Sequence, residues 1–339
     1  MSITKPTVIV LGAGASCEYS FPLGTQLLGR VKDALTYDFQ MSSRPRTGSL
    51  EIFDTLREMF PESQKGDNKR VNQFLVAAST LSKLLAFNKH ASIDEAIHLF
   101  AGQNEVIEIG KLAIASSIRG AEAKCLEKGS TYGAYDASKI TGWMADLFTI
   151  AIGSLTKAQI AKAFENITVI NFNYDRSFEN FIFHAIQSLG IAAEEAAETT
   201  RSIKILRPYG SLGELRSLYP SGIPFGHIGG GLQAQAQNNK TYTEQTHDPE
   251  LIASAKTALA EAKTVMFLGF GFHKQNLDIL QLPGSTNFKT IFATAKDIDK
   301  ENHDAISERL FRLLRPKNKQ ICIENLTCSE MFERRRKMI

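Results

Sequence analysis

The chain has 339 residues, 43% of them hydrophobic, and a formal charge of +3. That length and apolar content suffice for a full hydrophobic core, in one large domain with an insertion or in two modest domains. The charge is too mild for the basic stripe of a nucleic-acid binder. No apolar run approaches a membrane span, and the start MSITKPT lacks the regions of a signal peptide, so the expected location is the cytoplasm.

The first predicted element is a buried strand, Thr7-Val8-Ile9-Val10-Leu11, which breaks at once into Gly12-Ala13-Gly14-Ala15-Ser16. A strand that ends in a glycine turn is how doubly wound sheets receive a dinucleotide. Gly12 and Gly14 would let the backbone approach a pyrophosphate, and the N–H groups of the next turn would favour an anion. Cys17 replaces the third glycine of the GxGxxG pattern, and a tight turn without a ligand is the competing explanation. Cys17 itself is expected to be a small packed side chain.

From Gly24 to Glu165 apolar residues recur at helical spacing, as in Phe74, Ala78, Leu81 and Leu85, which predicts a helical insertion over 25–165. Within it, Ser42 to Gly48 and Pro61 to Asp67 carry turn chemistry and predict mobile surface loops. Ser92-Ile93-Asp94-Glu95 has the pattern of a capping box, with Ser92 as N-cap and Glu95 answering it. Strands are expected again at Thr168 to Phe172, Ile203 to Leu206, Thr264 to Leu268 and Thr290 to Ala293, with helices over Phe178 to Leu189 and Pro249 to Lys263. This alternation predicts an α/β fold: a Rossmann-like, mostly parallel sheet with flanking helices, formed by residues 1–24 and 166–339. The polar stretch Gln233 to Thr246 is expected to be a flexible loop. Phe178, Phe181 and Phe183 are expected in the core. Arg334 to Lys337 reads as a solvated basic tail. Cys17, Cys125, Cys322 and Cys328 form no CxxC pair, so neither a zinc site nor a disulfide framework is expected, and no metal.

Four separated pieces lie just past predicted strand ends, where open α/β sheets bind ligands. They are Gly12 to Ser16 with Pro22-Leu23-Gly24, Asn171-Phe172-Asn173-Tyr174-Asp175, Tyr209-Gly210-Ser211-Leu212, and Gly269-Phe270-Gly271-Phe272. Through VIVLGAGASCEYSFPLG, SIDEAI from Ser92, VINFNYDRSFEN from Val169, RPYGSLGEL from Arg207 and FLGFGFHKQNL from Phe267, the chain resembles the sirtuin-like (SIR2-like) superfamily. Within it, the likeness is to the NAD-consuming effectors of bacterial anti-phage defence. The match covers most of the chain in the family's order, and only weakly the helical region outside Ser92-Ile93-Asp94.

The resemblance implies NAD+ as substrate, with Gly12, Ala13, Gly14, Ala15 and Ser16 at its phosphates and ribose, and Gly269, Phe270 and Gly271 toward the adenosine. Pro22, Gly210 and Ser211 would complete the binding wall, together with Asp94, for which opposing the dipole of the helix it starts is an equal alternative. It makes Asn173 similar to the catalytic asparagine beside the nicotinamide ribose and places Asp175 at the nicotinamide carboxamide. Cleavage leaves an oxocarbenium-like ribose, which calls for polar groups that position water and stabilise positive charge.

One departure matters: the family reads HGS where this chain reads Tyr209-Gly210-Ser211. A histidine titrates near neutrality and suits a base, whereas a tyrosine with an ordinary pKa of about 10 stays protonated at pH 7. Three readings stand: a naturally weakened or binding-only member, Tyr209 or another group in the base's role, or an inactivating replacement of the histidine. His227 and His273 are candidate substitutes; His90, His98, His184, His247 and His303 show no ligand spacing. The leading expectation is an NAD+ glycohydrolase effector, gated by an activating or sensor protein of the same defence system or by homo-oligomerisation. A non-catalytic NAD or ADP-ribose-binding regulator is the alternative. A sirtuin deacylase is disfavoured by the missing paired CxxC module.

Overall fold

In the computed structural model, which describes residues 3–87, 92–131, 134–240 and 248–335, six strands form one all-parallel sheet. They are β1 (Thr7–Leu11), β2 (Ile167–Asn171), β3 (Lys204–Leu206), β4 (Thr264–Leu268), β5 (Thr290–Thr294) and β6 (Gln320–Glu324), in the spatial order β3-β2-β1-β4-β5-β6. The protein is therefore α/β, as expected. Its strand order is that of a doubly wound dinucleotide fold, which reverses direction between β1 and β4 and opens a crevice there. Thr7 pairs with Ile167 on one side and Thr264 on the other, so β1, β2 and β4 end level and deliver their following turns to one place.

The central strands are nearly continuous runs of β-branched and aromatic residues because helices cover both sheet faces. All five residues of β1 are buried. The edges differ: β3 and β6 are only partly buried and begin with Lys204 and Gln320. A polar edge resists pairing with another chain. β6 has no counterpart among the expected strands, since Gln320-Ile321-Cys322-Ile323-Glu324 lacks the apolar run that marked the others.

Between β1 and β2 the chain is helical. It forms α1 (Ala13–Cys17), α2 (Gly24–Ala34), α3 (Leu50–Met59), α4 (Lys69–Phe87), α5 (Ile93–His98), α6 (Asn104–Lys128) and α7 (Trp143–Ile152), with a two-residue ribbon pairing Ser130 with Tyr135. The later helices are α8 (Ser177–Ser188), α9 (Ala193–Ser202), α10 (Leu232–Gln237), α11 (Pro249–Glu261), α12 (Lys274–Leu280), α13 (Lys300–Leu314) and α14 (Cys328–Arg335). One hydrophobic cluster joins the sheet to these helices and includes Ile9, Trp143, Phe178, Phe181 and Phe183. Trp143 on α7 stacks on Phe178 of α8 at 6.2 Å and 7°, and its Nε1 donates to the Ala15 carbonyl at 2.7 Å. The helical region thus holds the first glycine turn directly.

A buried ion pair makes a second tie. Arg176, just past β2, is 1% exposed and Glu122 on α6 is 0% exposed. Their guanidinium and carboxylate meet through Nε at 3.1 Å and Nη2 at 2.7 Å. Arg176 also donates to the carbonyls of Glu214, Ile223 and Pro224, and Glu122 accepts from the backbone N–H groups of Arg176 and Gly226. Burying both charges is tolerable only because so many of their hydrogen-bonding sites are filled.

Several local expectations need correction. Residues 42–48 form a largely exposed surface loop, as expected, joined by an Asp38–Thr47 bridge and an Arg44–Asp54 ion pair, whereas Pro61–Lys65 forms a 3-10 helix that closes on Gly66 at φ +99°. The polar stretch after Gly231 begins as α10, whose Leu232, Gln235 and Ala236 are buried; residues 241–246 lie outside the described segments. Arg335 is bidentate on Glu324 and Arg334 pairs with the same carboxylate, so the basic run is part of α14 up to Arg335; Arg336 and Lys337 lie outside the described residues. At α5 the Ser92 hydroxyl caps the Glu95 N–H at 3.1 Å, but the reciprocal bond from Glu95 does not form. Among the described residues no helix is long and apolar enough to cross a membrane.

Candidate functional site

The ends of β1, β2 and β4 surround a cavity of about 420 Å³, within the range of small-molecule sites. The first and last glycine turns meet at its floor, back to back. A Cβ on Gly12 would lie 2.6 Å from the Gly269 carbonyl oxygen, and one on Gly14 would lie 2.7 Å from the Gly269 Cα. Gly269 has φ +56°, and a Cβ there would come 1.9 Å from the Ala15 nitrogen. Each turn demands glycine because of the other, so the motif's spacing is explained by packing before any ligand is considered. The Gly14 N–H is also spent on the Gly269 carbonyl and the Ala15 N–H on that of Gly12. The expected set of free N–H groups after β1 is reduced accordingly.

Asn173 lies two residues past β2, with its own N–H held by the Asn171 side chain at 2.9 Å. Its Nδ2 donates to the Gly12 carbonyl at 2.9 Å and to the Ser16 hydroxyl at 3.0 Å. A carbonyl can only accept, so the amide nitrogen must face Gly12. The amide oxygen is left as the atom available to a guest. Behind it, Arg207 donates from Nη1 to the Asn173 carbonyl at 2.8 Å and is itself held by Glu179 on α8. Arg207 therefore positions the asparagine from outside the cavity.

Asp175 is 3% exposed and lines the same cavity. Its Oδ1 accepts from the Ser177 N–H at 3.0 Å and from the Ser177 hydroxyl, which ties it to the start of α8. Tyr209 is 3% exposed; its hydroxyl donates to Asn276 Oδ1 on α12 at 2.8 Å, and its ring packs against Phe172 and Tyr174 at 5.9 and 6.3 Å. Tyr174 in turn donates from its hydroxyl to Asp94 Oδ1 at 2.6 Å. Asp94 is half-buried at the start of α5, on the cavity wall. Burial raises its pKa to about 6, against the opposing effect of the Tyr174 bond and its own backbone. A carboxyl that titrates this close to neutrality is a candidate for proton transfer.

Of the residues singled out from sequence, Gly12, Ala13, Gly14, Ser16, Pro22, Asp94, Asn173, Asp175, Tyr209, Gly269, Phe270 and Gly271 line this cavity. Ala15 is fully buried beneath it. Gly210 and Ser211 do not line it: they face a second cavity beside β3, shared with Arg201 and Glu214. The turn at Gly210 has φ +71°, and a Cβ there would lie 2.1 Å from the Asn238 carbonyl oxygen. That explains its glycine by packing and swings the following serine away.

His273 lines the cavity but is exposed, and His227 is exposed on a loop elsewhere. His90 and His247 lie outside the described residues. Cys17 is not packed as expected: it is exposed at the cavity mouth, where partial desolvation and the neighbouring Glu18 raise its pKa. Three further wall residues lie outside the expected site set. Asn276 holds Tyr209, and Thr294 accepts the Gly269 N–H at 2.8 Å. Lys296 supplies an exposed cation just past β5. The strand-end rule could have found Lys296; Asn276 falls within the FLGFGFHKQNL stretch, where nothing marked it as the partner of Tyr209. Among the described residues no group of three potential ligands could hold a metal ion.

Neither family models nor curated proteins match this chain.

Proposed function

We propose that the chain is a sirtuin-like NAD+ glycohydrolase, which cleaves NAD+ to nicotinamide and ADP-ribose. The observation that carries this reading is convergence. Asn173, Asp175, Tyr209, Asp94 and both glycine turns come from five separate stretches of sequence and meet around one cavity, at the reversal point of the sheet. In this reading the adenosine diphosphate lies along the glycine turns, Lys296 meets its negative charge, and the nicotinamide ribose sits against the Asn173 amide. The amide oxygen can orient a water or a ribose hydroxyl without ionising. Such an activity would deplete a cell's NAD+, which fits a defence effector that a partner protein or self-association switches on.

A binding-only regulator is the second reading, and one observation favours it. The Tyr209 hydroxyl, at the position of the family's histidine, is engaged with Asn276. Loss of NAD+ and release of nicotinamide, measured for this chain and for Tyr209→His, each alone and with the proteins encoded beside it, separates the two. Turnover by either form supports the glycohydrolase. Tight NAD+ binding with no turnover by either supports the regulator.

A further inference from the structure

We propose that Asp94 is the proton acceptor of this site, taking the place the histidine holds in the family. The inference rests on the glycohydrolase reading and deepens it.

Three observations carry it. Asp94 lines the same cavity as Asn173. Its Oδ1 accepts the hydroxyl of Tyr174, the residue that follows Asn173, so the carboxylate and the amide are set by one short piece of backbone. The Tyr174 bond at 2.6 Å and a bond from its own backbone still leave the carboxylate further acceptor sites toward the cavity. Tyr209, by contrast, spends its hydroxyl proton on Asn276 and presents no basic atom of comparable strength.

The raised pKa of Asp94 comes from burial, with no neighbouring charge contributing. The other titratable groups on the cavity wall are Cys17, Glu18, Asp175, His273, Lys296, Asp297 and Cys328, with Tyr174 and Tyr209. None of these except Tyr174 bonds to the Asp94 carboxylate. At pH 7 the group is mostly ionised, yet basic enough to accept a proton as a transition state develops.

The step balances without a further reagent. A water held between Asp94 and the Asn173 amide oxygen attacks the ribose carbon that bears nicotinamide. A water O–H proton passes to Asp94, and the new C–O bond forms. The C–N bond breaks with its electron pair going to the pyridinium nitrogen, which leaves as neutral nicotinamide. ADP-ribose departs, and Asp94 returns its proton to solvent.

The test uses the full chain at a concentration above that of NAD+, so that one turnover is followed from pH 5 to pH 8, with NAD+ binding measured by calorimetry. Wild type and Asp94→Asn are compared; the asparagine oxygen still accepts from Tyr174, so the wall keeps its shape. The expected result is a wild-type rate that falls as pH drops through about 6. In Asp94→Asn the rate is expected to fall by about 10²–10⁴-fold, with binding changed little and the acid limb gone. A variant that keeps both rate and acid limb overturns the assignment to Asp94 and leaves the glycohydrolase reading intact. Wild type that binds NAD+ without cleaving it at any pH, alone and with the proteins encoded beside it, overturns the assignment to Asp94; silence of Tyr209→His under the same conditions overturns the glycohydrolase reading as well, in favour of the regulator. Wild type that does not bind NAD+ removes the nucleotide reading altogether.

Discussion

Replacing Asp94 by asparagine should make the folded protein more stable at neutral pH, the opposite of the usual effect of altering a hydrogen-bonded residue. The carboxyl is raised from 3.8 to about 6 in the folded protein, and each pH unit corresponds to about 1.4 kcal/mol. Between those two values the folded chain holds a proton that the unfolded chain has lost, so stability falls as pH rises from about 4 to about 6. Above that window the ionised Asp94 costs roughly 3 kcal/mol, less what its partial solvent contact returns. Asparagine keeps the acceptor for Tyr174 and never ionises. Urea midpoints measured for both proteins at pH 4, 5, 6, 7 and 8 should coincide near pH 4. They should then diverge by about 2–3 kcal/mol in favour of the variant by pH 7, with unchanged slopes. A variant equally destabilised at every pH would refute the reasoning, because it would mean the carboxylate is welcomed rather than burdened where it sits. A stabilised but inactive variant would mark Asp94 as a group kept for function at the expense of stability.

Three further outcomes follow from the contacts. Glu122→Ala strands a buried guanidinium and should cost about 3–5 kcal/mol, read as a lowered urea midpoint; the double variant with Arg176→Met should recover little of it, because three carbonyls then lose their donor. Gly269→Ala meets both a positive φ and the Ala15 nitrogen, so a loss of more than about 2 kcal/mol is expected from the left-handed backbone and the clash together, visible as a drop in melting temperature. Asn173→Asp sets a carboxylate oxygen against the Gly12 carbonyl, and should lower both NAD+ turnover and stability, the latter by about 1–3 kcal/mol; Asn173→Ser, which can still donate, should lose less stability than activity.

The central strands were legible because burial on both sheet faces leaves an unbroken apolar signature, as in Thr7 to Leu11 and Thr264 to Leu268. The edge strand at Gln320 was not, since it begins exposed and ends on Glu324, which is spent on Arg335, so no apolar run marks it. Placing motifs at strand ends located eleven of the expected site residues on the wall, but it could not say which way a chain turns next: Gly210 and Ser211 face another cavity, with Gly210 packed against the Asn238 carbonyl. The glycine pairs were read as room for a phosphate, and their nearest neighbour is another glycine turn. Polarity misled at Gln235, whose buried amide accepts from Arg119 at 3.1 Å inside α10's packing. Partners such as Asn276 for Tyr209, 67 residues apart, belong to the tertiary fold and leave no trace in local sequence.

The bond from Trp143 Nε1 to the Ala15 carbonyl fastens the helical region to the turn after β1. At 2.7 Å it has less than an ångström of slack before it stops being a hydrogen bond. The same helix start takes a second grip, the Trp143 N–H on the Ser329 hydroxyl of α14. The start of α7 is thus fastened at once to the turn after β1 and to α14, so a displacement of any one of the three strains the other two.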